Sequence, residues 1–178
     1  MSNLGEIERA INIIHATGNT EVVILHCVSQ YPAPVDQMNL RAIETLRYAF
    51  GLPVGLSDHS EGQELALAAI GLGARIIEKH FTLNKNMAGP DHKASLDPIE
   101  LKKMIASIRT VECALGDGKK RLMPCEDNTA KAARKSLFAK EHIKMGQKIS
   151  EENVCLRRPG TGLSGEALSF VIGKQALA

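Results

Sequence analysis

The feature that most restricts this chain is a repeated switch of hydrophobic period. Three short apolar runs, "EVVILHC" (21–27), "LPVGLSDH" (52–59) and "RIIEKHFTL" (75–83), alternate with stretches patterned at helical spacing. Each run is too apolar to leave one face wet, which marks a strand buried on both sides of a parallel sheet. The intervening stretches read as covering helices. "NLGEIERAINIIHATGN" places Leu4, Ile7, Ile11 and Ile14 on one stripe, with Asn3 and Glu6 at capping-box spacing and Gly18 as a stop. "DQMNLRAIETLRYAFG" turns Leu40, Ile43 and Leu46 inward and ends at Gly51. "EGQELALAAIGLGA" is a small-residue helix suited to close packing on a sheet. "SLDPIELKKMIASIRTVECALG" carries Asp97 as N-cap, Pro98 at the first position, Glu100 completing the box and Gly116 at the end. The order α-β-α-β-α-β-α up to about residue 115 predicts an α/β fold with parallel strands.

The alternation fails near "GDGKKRLMPCEDNTAKAARKS". Gly, Pro and charge dominate there, and residues 118–133 read as a linker. Beyond it the segments are short: "SLFAK", "HIKMGQKIS", "VCLRRPGTG" and "FVIGKQA". They predict a small, turn-rich β module over 134–178, of a size that is only marginally stable alone.

Composition narrows function by exclusion. A formal net charge of +2, with scattered Lys and Arg, argues against a nucleic-acid partner. An aromatic content of 3% without Trp removes most stacking platforms for single strands. No apolar run is long enough to cross a membrane. The four cysteines form no C-x-x-C pair, which is the pattern of free thiols in a reducing cytoplasm.

All three predicted strands turn polar at their carboxyl ends, in "HCVSQY", "SDHS" and "EKHFT". Parallel α/β proteins build their sites at that edge. Side chains alternate along a strand, so Ser57 shares a face with His59, and Glu78 shares one with His80. If the strands are neighbours, the two imidazoles converge, and two neutral imidazoles with open positions suit a divalent metal. A single histidine at a strand end is ordinarily a hydrogen-bonded loop residue; it is the matched pair, each beside an acid, that points to a metal. His26 reads as structural, filling a layer below the site, and His15, His92 and His142 receive no role. Cys27 reads as a small buried residue rather than a ligand. The long loop "FTLNKNMAGPDHKASLDP" offers Asp91, and "RRPGTG" presents two arginines before a rigid turn.

Taken in order, "LHCVSQYPAPVDQMNL", "VGLSDHSEG", "ARIIEKHFTL", "GPDHKASLDPIEL" and "RRPGTG" resemble the N-acetylneuraminate (sialic acid) synthase family along essentially the whole chain. The resemblance implies a metal-dependent condensation of phosphoenolpyruvate with N-acetylmannosamine or a related amino sugar, with release of phosphate. It implies the last three βα units of a TIM (β/α)8 barrel over 1–117 and an incomplete antifreeze-like (SAF) domain over 134–178. By position, His59 and His80 would be the metal ligands, most often for Mn2+. Ser29 and Ser57 would contact phosphoenolpyruvate, Tyr31 and Asp91 the sugar, and Glu78 a reacting water. Arg158 would reach into the barrel of the partner in a homodimer with exchanged domains.

A complete barrel needs eight βα units. Only three are legible here, and the family's upstream lysine and acid have no counterpart. The expectation is therefore a fragment, or the product of an internal start, that is inactive alone and tends to associate. Three other readings stand beside the leading one. The parent could make legionaminic or pseudaminic acid. It could be another phosphoenolpyruvate-condensing barrel, which the antifreeze-like module disfavours. The chain could also be a non-catalytic remnant used for binding or oligomerisation.

Overall fold

The structure is a computed structural model and describes residues 1–89 and 91–177. The chain divides into two compact units, Met1–Gly118 and Lys119–Ala178.

In the first unit the order is α1 (Leu4–Ala16), β1 (Ile24–Cys27), α2 (Ala42–Phe50), β2 (Val54–Asp58), α3 (Glu64–Gly71), β3 (Ile77–Lys79) and α4 (Pro98–Leu115). The predicted alternation is therefore present as a mixed α/β fold. Its sheet has the order β1-β2-β3, all parallel. Ser57 lies opposite Cys27 on one side and Glu78 on the other, and Asp58 lies opposite Lys79. Neighbouring strands put the polar ends of β2 and β3 side by side.

Local chemistry sets the helix ends. In α1 the Asn3 side chain accepts the Glu6 N–H at 3.0 Å, while the Asn3 N–H donates to Glu6 at 2.8 Å. In α4 the Asp97 carboxylate accepts from the N–H groups of Ile99 and Glu100, both at 2.8 Å, and the Asp97 N–H donates to Glu100 at 3.0 Å. Each cap satisfies backbone donors that a helix start otherwise leaves unpaired.

One boundary differs from expectation. The apolar stripe predicts a helix from about residue 36, yet α2 begins at Ala42 after a 3-10 turn at Val35–Gln37. Asn39 sits at φ 42°, and a residue in the left-handed region breaks helical hydrogen bonding there. The stripe of α1 is also only partly used, since Ile11 is buried while Leu4 and Ile14 are exposed.

The core lies between the sheet and its helices. Met38, Ile43 and Leu46 pack against Val54 and Leu56 of β2, with Ala69 and Ala74 completing the layer. A second cluster joins Ala66 of α3 to Leu96 and Met104, with Ile77 bridging the two. Ala66 and Ala69 have no exposed surface, so α3 approaches its neighbours as closely as its small residues allow.

The second unit has a two-stranded antiparallel sheet, β4 (Ser136–Ala139) with β5 (Val154–Arg157). Isolated bridges link Ser136 to Ser164 and Lys148 to Gln175. Residues 118–133 are more than a linker. They include a 3-10 turn, Pro124–Glu126, and helix α5 (Asp127–Ala133), whose Asp127 and Lys131 pair one turn apart at 3.1 Å. "FVIGKQA" does not form a strand along its length, because Phe170 and Val171 end helix α6 (Leu168–Val171). Among the described residues no helix is long and apolar enough to cross a membrane.

Candidate functional site

The site grows from the end of β2. Val54, Leu56 and Asp58 face the helices, which leaves Gly55, Ser57 and then His59 for the other face. Ser57, Asp58, His59 and Ser60 are all buried. Four polar residues in succession can be buried only if their hydrogen bonds are made internally, and each has partners.

His59 is held at both nitrogens. Nδ1 lies 2.9 Å from the Val28 carbonyl oxygen, which can only accept, so in the neutral ring Nδ1 carries the proton. Nε2 then keeps its lone pair and faces the Tyr31 hydroxyl at 3.0 Å and Ser57 Oγ at 3.3 Å. Tyr31 also stacks on His59, with ring centroids 4.1 Å apart and planes at 28°. Ser57 donates to Glu78 Oε1 at 2.6 Å, across the register pair that joins the two strands. The His80 ring stands edge-on to His59 with centroids 5.5 Å apart, and 5.0 Å from that of Tyr31. Thus Tyr31, Ser57, His59, Glu78 and His80, nominated from sequence, come together in space.

Three other nominated residues stand differently. Asp91 approaches His80 Nδ1 only to 4.0 Å and is half exposed. Together they line a cleft of about 290 Å³ with Phe81, Gly89, His92 and Ser95. Ser29 is exposed, and Cys27 links it to the cluster, its sulfur lying 3.8 Å from both Ser29 Oγ and His59 Nδ1. Arg158 belongs to the second unit, where its Nε donates to the Ala133 carbonyl at 2.8 Å. Within "GPDH", Pro90 lies outside the described residues.

The expectation for His26 needs correction in place though not in kind. Its Nε2 lies 2.7 Å from the Met38 carbonyl oxygen, so the ring serves the approach to α2 rather than a layer beneath Ser57. A wider recess of about 560 Å³ lies at the opposite edge of the unit, lined by Glu44, Arg47, Arg75 and Glu112 among others. It holds no imidazole or hydroxyl group, and the reactive groups gather at the strand ends instead.

Sequence reading missed three residues. Asp58 and Lys79 form a buried ion pair at 2.8 Å, and their alternation with the two histidines was the available signal. His92 lines the cleft with His80 and Asp91, and its Nδ1 lies 2.7 Å from the hydroxyl of buried Thr82. No spacing in the loop pointed to that contact.

Two imidazoles with one lone pair fixed by a backbone carbonyl are the donor type of a borderline divalent cation. Among the described residues, no group of three or more His, Cys, Asp or Glu side chains is gathered as a cage. A cation held by the two imidazoles would need solvent or substrate oxygens to complete its coordination.

The chain is similar to known proteins along its length. The NeuB family matches residues 1–120. The chain is 48% identical over 178 residues to an N,N'-diacetyllegionaminic acid synthase from Campylobacter jejuni, covering 99% of this chain and 53% of that protein. It is 41% identical over 173 residues to a pseudaminic acid synthase from the same species, covering 96% of this chain and 50% of that protein. The crystal structure of an N-acetylneuraminic acid (sialic acid) synthetase from Leptospira borgpetersenii superposes with a TM-score of 0.66 at 37% identity, covering 72% of this chain and 45% of that one. The chain thus spans about half the length of the curated relatives it matches. On the family match and the extent of these identities, the chain belongs to the NeuB family.

Proposed function

We propose that this chain carries the carboxyl-terminal half of a nonulosonate synthase site, which condenses phosphoenolpyruvate with an N-acetylated amino sugar and releases phosphate. The observation that carries this reading is the convergence of Tyr31, Ser57, His59, Glu78 and His80 at the adjoining ends of β2 and β3. The three strands would be the last βα units of a TIM barrel, and the unit from Lys119 onward would contain an antifreeze-like domain.

His59 and His80 would hold a divalent cation, Mn2+ by the family resemblance. When bound, that ion supplies Lewis-acid polarisation of the sugar aldehyde. The protein's own groups do the rest. Val28 fixes the His59 tautomer so that Nε2 points into the site. Ser57, its proton committed to Glu78, keeps its oxygen placed beside His59 for the phosphoenolpyruvate end of the site, with Ser29 at the margin. Glu78 is exposed at the strand end, where it can accept a proton from water that adds to the phosphoenolpyruvate carbon. The cleft with Asp91 would take the sugar, and Tyr31 would stand between sugar and metal. Arg158 would act on a partner's barrel in a homodimer with exchanged domains. Free thiols at all four cysteines suit a reducing, cytoplasmic setting.

The 48% identical relative favours a diacetylated sugar of the legionaminic type, with N-acetylmannosamine as the alternative. The test is phosphate release from phosphoenolpyruvate with Mn2+, using this chain with the amino-terminal half of the Campylobacter relative supplied alongside. N-acetylmannosamine and the diacetamido sugar are compared. Sugar-dependent release that is lost in His59→Gln is the expected result. Release that needs no sugar, or survives His59→Gln, would overturn the assignment. Folded protein that releases nothing in either case supports the non-catalytic remnant.

A further inference from the structure

We propose that Asp58, Lys79 and Ser60 form a buried clamp that positions the two histidines. The inference rests on the proposed role of His59 and His80 and adds residues that act through them. Asp58 and Lys79 are register partners on β2 and β3, and each immediately precedes one of the histidines in sequence. Alternation sends their side chains to the opposite face of the sheet, away from the site.

There both oxygens of the Asp58 carboxylate accept hydrogen bonds. Oδ2 accepts from Lys79 Nζ at 2.8 Å, and Oδ1 accepts from the Ser60 N–H at 3.0 Å and from Ser60 Oγ at 2.6 Å. Lys79 Nζ donates a second bond to the Ser60 carbonyl at 2.6 Å. Side-chain exposure is 3% for Lys79 and 0% for Asp58, so water does not loosen these contacts. The result is a closed loop of bonds around His59. Residue 58 grips residue 60 on either side of it, and residue 79 ties both to the strand that ends in His80.

Stability alone is a poor reason for such a pair. Two buried charges are often replaced by well-packed apolar residues with no loss. What apolar residues cannot reproduce is directional control. The clamp sets the backbone at His59, where Nδ1 must meet the Val28 carbonyl, and it fixes the spacing that leaves the two imidazole centroids 5.5 Å apart. Asp58, Lys79 and Ser60 are thus positioning residues.

The test compares the 178-residue chain with Asp58→Leu/Lys79→Met, which removes both charges and fills the space. The first readout needs no metal: two-bond proton–nitrogen spectra of the imidazoles report their tautomers. The parent should show His59 as a single Nδ1–H form, and the double variant an average of both forms, with Tm retained within about 5 °C. The second readout is Mn2+ affinity by calorimetry, which should fall about 10- to 100-fold. Should the double variant not fold, Ser60→Ala cuts one arm of the clamp and should shift both readouts less, in the same direction. Folded variants whose His59 tautomer matches the parent would overturn the proposal. A parent that takes up no Mn2+, while the variant still loses the single tautomer, would uphold the clamp and overturn the metal site.

Discussion

Replacing Gly55 by alanine would set a methyl carbon 2.5 Å from the Ile76 carbonyl oxygen and 2.6 Å from Leu25 Cδ2. Ordinary contact begins near 3.4 Å. The Leu25 side chain can turn away. The Ile76 carbonyl cannot, because it accepts the Leu56 N–H at 2.9 Å and so helps register β2 on β3. The two backbones would have to part by about 0.9 Å, which overpacking data place at about 1–3 kcal/mol. A backbone obstacle argues for the upper end. Against it stands a gain of about 0.4–1 kcal/mol from the restricted unfolded chain. That gain applies because Gly55 is not among the positive-φ glycines. The net expectation is a loss of about 2 kcal/mol. Urea denaturation followed by circular dichroism measures it, with an unchanged m-value. The same displacement would lengthen the Ser57–Glu78 hydrogen bond two residues along, so the site should suffer with the fold. A Gly55→Ala chain within about 0.5 kcal/mol of the parent would refute the argument from close approach.

Asp97→Ala removes the carboxylate that caps α4 through two backbone bonds and should cost about 1 kcal/mol by the same denaturation assay. Lys79→Met alone strands the Asp58 carboxylate in a site from which water is excluded, and should cost about 3–5 kcal/mol, far more than the apolar double replacement. Glu100 is held below the ordinary carboxylate range, chiefly by its hydrogen bond from Lys85 and next by the Asp97 backbone N–H. A carboxyl whose folded pKa is depressed contributes stability above its unfolded pKa and loses it as pH falls through the folded one. Tm measured from about pH 5 to about pH 2 should therefore fall less steeply in Glu100→Gln than in the parent. The difference should be small, because both partners of this pair are more than a third exposed.

The strands and their polar ends were legible because burial on both faces forces a continuous apolar run, and its sudden end marks the carboxyl edge. Face-sharing of Ser57 with His59, and of Glu78 with His80, followed from period two alone. Their meeting did not, since it depends on β2 and β3 being neighbours in the observed register. The clamp was hidden for the same reason: Asp58 and Lys79 read as flanking charges until the register pairs them. Start of α2 was misjudged because hydrophobic spacing carries no record of the positive φ at Asn39. "FVIGKQA" was misread because β-branched residues over one short turn cannot be told from a strand by composition. His92 was passed over because its partner, Thr82, is set by the path of a loop rather than by any periodicity.

The most direct test of the account is paramagnetic broadening of the histidine ring signals by substoichiometric Mn2+ in the 178-residue chain. His59 and His80 should broaden first and together, before His15 and His142, and the effect should vanish in His59→Gln. Equal broadening of all the histidines, or broadening that persists in His59→Gln, would contradict the claim that the ends of β2 and β3 form a metal site.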